Sequence, residues 1–100
     1  MPISSTISDN GKTVTINVSG RFDFNSHRDF RASYGDEGGN LKYIVDMSGT
    51  NYMDSSALGM LLLLREHAGG DSCDVTITSC SEDIKKILTI SNFEKLFKLS

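Results

Sequence analysis

Apolar and polar positions alternate twice near the start of the chain. Ile3, Ser5 and Ile7 alternate with polar neighbours, and Val14, Ile16 and Val18 do so more clearly. Period-two spacing of this kind predicts strands with one face on a core. Between them lies Asp9-Asn10-Gly11-Lys12, and Asn-Gly is the strongest short-range hairpin signal, so the two strands should pair antiparallel. Gly20 is expected to break the second strand. Arg21 to Ser26 then forms a polar and aromatic connection, in which Asn25 or Ser26 can accept from the open amides of a first helix turn. Phe30 and Tyr34 repeat at i, i+4 with His27 one turn ahead, which predicts a short helix ending by Gly35. Asp36 to Asn40 reads as a surface loop.

The middle of the chain is denser. Leu41 to Val45 is a nearly continuous apolar run closed by Asp46, and such a run suits an interior strand covered on both faces. Ser48-Gly49-Thr50-Asn51 reads as a polar turn. A helix over Ser56 to Ala68 follows, with Leu58, Leu61, Leu62 and Arg65 on one stripe and Met60, Leu63, Leu64 and His67 on the others. It is apolar nearly all round, so it should pack against several neighbours or against a partner chain, a homodimer included. Gly69-Gly70 ends it. Asp71 to Ser79 alternates Cys73, Val75 and Ile77 with polar residues, a further strand. Ser81 with Glu82 and Asp83 opens a last helix, a capping hydroxyl with acids in the first turn. Ile84, Ile87, Leu88 and Ile90 supply its buried face, Asn92 breaks it, and Phe93, Leu96, Phe97 and Leu99 close the core.

The predicted order is β-β-α-β-α-β-α. That is an α/β fold: a mixed sheet, mostly parallel, with an N-terminal antiparallel hairpin and helices packed against it, joined by right-handed crossovers. Loops after the strand C-termini, including Asp23-Phe24 and Thr50 to Ser55, should share one edge of the sheet, the usual place for a site.

Composition narrows the function. One hundred residues make a single domain, 1–100, and 38% hydrophobic with 23% charged residues is ordinary globular protein. The longest apolar run, Met60 to Leu64, is far short of the ~20 residues of a membrane span. Met1-Pro2-Ile3-Ser4 has no signal-peptide character, so the expected location is cytoplasmic. A net charge of −3 without a basic stripe argues against nucleic acid. Cys73 and Cys80, seven apart, fit neither a redox pair nor a zinc set, and His27 and His67 do not complete one. Reduced, mostly buried thiols, no metal and no cofactor are expected.

The chemistry concentrates at the start of the second long helix. Asp54, Ser55 and Ser56 stand where the first backbone amides lack partners and the dipole end is positive. A phosphate on such a serine would be partly neutralised there, and would add about −1.5 to −2 charge, enough to repel an acidic or apolar partner surface. Asp54 or Ser55 acting only as an N-cap satisfies the same pattern. An enzyme is not expected: a nucleophilic serine needs a base within reach, and His67 lies about 15–18 Å from Ser55 by helical rise. No Gly-x-x-x-x-Gly-Lys phosphate cradle is present.

Val45-Asp46-Met47-Ser48-Gly49-Thr50 followed by Tyr52-Met53-Asp54-Ser55-Ser56-Ala57-Leu58-Gly59, together with Gly20-Arg21-Phe22-Asp23, resembles the signature of STAS domains, specifically the bacterial anti-sigma factor antagonists. The resemblance covers essentially the whole chain; Ala57 stands where glycine is common, and Phe22-Asp23-Phe24 is unusually aromatic. It implies a phosphoacceptor at Ser55 and a structural serine at Ser56. It further implies a contact patch of Asp23, Thr50, Asn51, Met53, Asp54, Ser56 and Leu58. The implied partners are an anti-sigma factor that is itself a serine kinase, which binds the unphosphorylated form, and a PP2C-type phosphatase that restores that form. The alternative is a constitutive STAS subunit docking to a transporter ATPase or a stress-signalling scaffold through apolar surface near Met60 and Leu64.

Overall fold

Asn10-Gly11 does close a hairpin. In the computed structural model, which describes residues 3–100, β1 (Ile3–Ser8) pairs antiparallel with β2 (Thr13–Phe22). Asp9, Asn10 and Gly11 all adopt left-handed backbone, with φ of 54°, 59° and 84°. These residue types enter that region at least cost, and the Thr13 hydroxyl donates to Asp9 Oδ2 at 2.8 Å to brace the loop. The second strand does not stop at Gly20: it bends there, at φ +74°, and continues to Phe22.

The sheet runs β1-β2-β3-β4-β5, with β3 (Lys42–Met53), β4 (Asp74–Thr78) and β5 (Lys98–Leu99) following β2 in parallel. Helices α1 (His27–Ala32), α2 (Ser55–His67) and α3 (Glu82–Ile90) make the crossovers. The expected mixed α/β sheet is therefore present, with the short β5 added at the edge. The predicted two-sided burial of the central strand is corrected. Tyr43, Val45 and Met47 are buried, but Lys42 is exposed and Ile44 and Asp46 are only half-buried. The helices cover one face, and the alternation along β3 records that.

The predicted turn at Ser48 to Asn51 is also corrected: it is strand. From the pair Asn17–Asp46 to the pair Phe22–Met53, β2 advances five positions and β3 seven, so β3 absorbs two extra residues as bulges. Turn-forming residues serve the bulges. Asp46 Oδ1 accepts from the Ser48 amide at 2.9 Å, and the buried Thr50 hydroxyl donates to the Val18 carbonyl at 2.8 Å. Gly49 lies so close to β2 that a Cβ there would stand 2.8 Å from the Ser19 Cβ. Each bulge reverses the inward parity of β3, and the second undoes the first. Tyr43, Val45 and Met47 point inward, then Thr50, then Met53.

Three further boundaries shift. Helix α1 is preceded by a 3-10 turn, Phe24–Ser26, capped by Asp23 and not by Asn25 or Ser26. Ser26 is buried, and its hydroxyl donates to the Arg21 carbonyl at 3.0 Å. Asp71 and Ser72 belong to a 3-10 turn, so β4 starts only at Asp74. On α3, Ser81 caps as predicted, accepting from the Ile84 amide at 3.3 Å; Ile84 and Leu88 are buried, but Ile90 is 73% exposed. Cys73 and Cys80 are free and half-buried, less covered than expected, and burial pushes the Cys80 thiol above its ordinary pKa against the opposing pull of Lys85.

Between α1, α2 and the sheet runs a column of rings. Phe22 lies 5.0 Å from Phe30, Phe30 lies 5.7 Å from Tyr34, and Tyr34 lies 5.0 Å from His67, edge to face. His67 also faces Tyr43 at 6.1 Å, and its Nε2 lies 2.8 Å from the Glu37 carbonyl, tying the loop before β3 to the end of α2.

Candidate functional site: the start of α2

Parallel pairing of β2 and β3 sets Phe22 opposite Met53, so the chain leaves both strands at one edge of the sheet. Each exit is capped by an aspartate. After β2, Asp23 accepts from the Asn25 amide at 3.0 Å, and its own amide donates to Ser26 Oγ at 3.4 Å. After β3, Asp54 Oδ1 accepts from the amides of Ser56 at 2.9 Å and Ala57 at 3.4 Å. Two of the open amides of α2 are thus taken by a carboxylate, and Asp54 is the N-cap.

Ser55 is the first residue of α2 and is exposed, while Ser56 is half-buried behind it. The two exits are linked by Arg21. Its guanidinium lies 3.9 Å above the Tyr52 ring, and its Nε is 3.2 Å from Asp23 Oδ2. Each contact is exposed and worth about 0.2–1 kcal/mol. Their effect is to hold the Asp23 side of the site against the Tyr52 side.

The structure sorts the expected contact patch. Asp23, Asn51, Asp54, Ser55, Ser56 and Leu58 reach the surface at least in part. Thr50 and Met53 are 5% exposed, one satisfying the Val18 carbonyl and the other packed in the core, so neither offers a partner a surface. His67 is committed to the far end of α2, and His27 is exposed on α1. Among the described residues no three His, Cys, Asp or Glu side chains converge, and no helix is long and apolar enough to cross a membrane.

Residues the sequence reading did not assign to the site now join it. Ala57, Met60, Leu61, Leu64 and Ala68 face the core; Leu62 and Leu63 are 39% and 46% exposed. The apolar surface of α2 is therefore at Leu62 and Leu63, and not near Met60 and Leu64. The i, i+3, i+4, i+7 run from Ala57 was the available signal. Phe24, at 74% exposure, and Tyr52, at 39%, add rings beside the two caps, while Phe22 is fully buried. Gly59 lies one turn from Ser55 on the exposed face, and a Cβ there would meet nothing within 4 Å.

Comparison with known proteins gives this arrangement a family. The model described as MlaB, STAS domain matches residues 5–99. A STAS-domain containing protein of Pseudomonas aeruginosa (strain UCBPP-PA14) is 50% identical over 101 residues, covering 100% of each chain. Among solved structures, a candidate anti-sigma factor antagonist from Thermotoga maritima superposes with a TM-score of 0.82 at 18% identity, over 97% of this chain and 84% of that one. The anti-sigma factor antagonist SpoIIAA in its unphosphorylated form gives 0.71 at 16%, over 98% and 86%. The phosphorylated Bacillus form gives 0.71 at 17%, over 98% and 90%. At these identities the structural likenesses speak for the fold alone. The sequence matches, which span nearly the full length, carry the assignment: the chain belongs to the STAS-domain family.

Proposed function

We propose that this chain is an anti-sigma factor antagonist, a binding module without catalysis of its own, switched by reversible phosphorylation of Ser55. The observation that carries the reading is an exposed serine at the first position of α2, beside a carboxylate that already occupies the next amides. Because Asp54 holds those amides, a phosphate on Ser55 gains little compensation from the helix and adds its charge beside an existing one. The apolar positions Leu58 and Leu62 follow Ser55 at i+3 and i+7, so that charge lands at the rim of the surface an apolar partner would cover. Unphosphorylated, the face made by Asn51, Ser55, Leu58 and Leu62 binds an anti-sigma factor that is also a serine kinase. Phosphorylation ends the binding, and a PP2C-type phosphatase restores it. ATP belongs to the kinase, and the complex is cytoplasmic.

The test is a pull-down from the native host with mass mapping of residues 41–70. Phosphate on Ser55, with the partner kept by Ser55→Ala and lost by Ser55→Asp, is the expected result. Labelling of Ser55→Ala by the kinase as strongly as the parent would refute the assignment.

A second reading is favoured by the exposure of Leu62 and Leu63. A constitutive subunit docking to a transporter ATPase or a stress-signalling scaffold would use the same face with Asp54 as a plain cap. Its partner would copurify equally with Ser55→Asp and be lost with Leu62→Glu.

A further inference from the structure

The two edges of the sheet are unlike. At one, β5 is two residues long and Lys98 is paired with Asp74 at 3.2 Å, the short and charged kind of edge that resists strand addition. At the other, β1 pairs with β2 in unbroken register from Ile3–Val18 to Ser8–Thr13, and its outer side has no strand among the described residues. Ile3–Ser8 reads Ile-Ser-Ser-Thr-Ile-Ser, with no charge, no proline and no bulge, and Ser4 to Ser8 are exposed. The usual protections against edge pairing are missing.

We propose that β1 is a homodimerisation strand, pairing antiparallel with β1 of a second copy about a two-fold axis through Ser5. The palindrome selects a second copy over any other strand. Symmetric antiparallel pairing requires residues equidistant from the axis to suit each other, and Ile3-Ser4-Ser5-Thr6-Ile7 reads the same by residue class in both directions. About this axis Ile7 faces Ile3 of the second copy, Ser4 faces Thr6, and Ser5 faces itself. Ile3, Ser5 and Ile7 lie on the helix side, since they pair with the buried Val18, Ile16 and Val14. Ile3 is already buried in its own chain, at 6% exposure, so what the joint covers is Ile7, which is 52% exposed in the single chain. The hydroxyl pairs Ser4–Thr6 form on the open face, a favourable cross-strand pairing. A slip of two residues sets an isoleucine against Ser5 instead. The strand itself carries no charge, the nearest being Asp29 of α1 in the groove beside Ile3, Ser4 and Ser5, and about four to six backbone hydrogen bonds close the joint, two for each outward-facing pair.

Sedimentation across a concentration series tests this. The parent chain is expected to pass from 11.0 kDa to twice that mass. Ser5→Lys, at an exposed position, stays folded by circular dichroism and associates roughly tenfold or more weakly, because two ammonium groups then face each other on the axis. With Cys73 and Cys80 replaced by serine, Ser5→Cys is expected to give a disulfide-linked dimer on mild oxidation. Thr6→Cys is not, since its copies are offset along the strand beyond bridging distance. A parent that stays at 11.0 kDa throughout overturns the proposal. So does a Ser5→Lys chain that dimerises as the parent does, or a Thr6→Cys chain that cross-links as readily as Ser5→Cys.

Discussion

The Thr50 hydroxyl donates to the Val18 carbonyl at a depth where water cannot replace it, and this bond fixes β3 against β2 between the two bulges. Thr50→Val keeps the shape and strands the carbonyl, so unfolding in urea is expected to show a loss of about 1–3 kcal/mol. The fall would leave Ser55 exposed and, under the proposed switch, still open to the kinase, which separates the architectural role of Thr50 from that of a contact residue. In the sequence, Thr50 and Asn51 look alike as turn residues. Only the register of β3 on β2 places one inside and the other outside, and local propensity carries no information about register. Asp54 and Ser55 were legible for the opposite reason: capping and the first-turn position are set by immediate neighbours in the chain.

At the scale of an element, α2 was readable in extent and position but not in orientation. Its run of four leucines after Met60 leaves the core-facing stripe ambiguous, and packing on the sheet decides that Leu61 and Leu64 turn in while Leu62 and Leu63 turn out. Gly59 interrupts this helix with no crowding within the chain to require it. Replacing it with alanine is expected to raise stability by about 0.5–1 kcal/mol in thermal or urea melts, through lower backbone entropy in the unfolded chain. The same change should weaken partner binding in titration calorimetry if a partner backbone approaches the exposed turn after Ser55. A helix that keeps a costly glycine on its open face presents a flat surface there. The first helix was less legible than α2. A 3-10 turn precedes it, and Asp23, which from sequence was assigned to partner contact, caps that turn, while Ser26 at the N-cap position of α1 makes no side-chain cap bond.

For the molecule as a whole, the ring column from Phe22 to His67 joins the site edge of the sheet to the far end of α2. Phe22→Ala is expected to cost about 3–5 kcal/mol, a large share of the stability of a domain this size, read as a drop in urea midpoint. Phe22 lies between Arg21 and Asp23, so partner affinity should fall with it even though the ring itself is buried. The order of the first four strands along the chain and the hairpin followed from alternation and Asn-Gly, whereas one-sided coverage of the sheet did not, because Leu41 to Val45 contains no polar residue but Lys42 to betray the solvent face. The paired bulges of β3 bear on how this chain can change length over descent. Loss of one residue at either bulge would turn that stretch into regular strand and leave Thr50 and Met53 on the inner side, because the residues beyond it keep their partners on β2. A loss between Lys42 and Asp46, where pairing with β2 is one to one, would put the residues on its two sides out of phase. Single-residue changes of length in this strand are therefore tolerated at the two bulges and not before them.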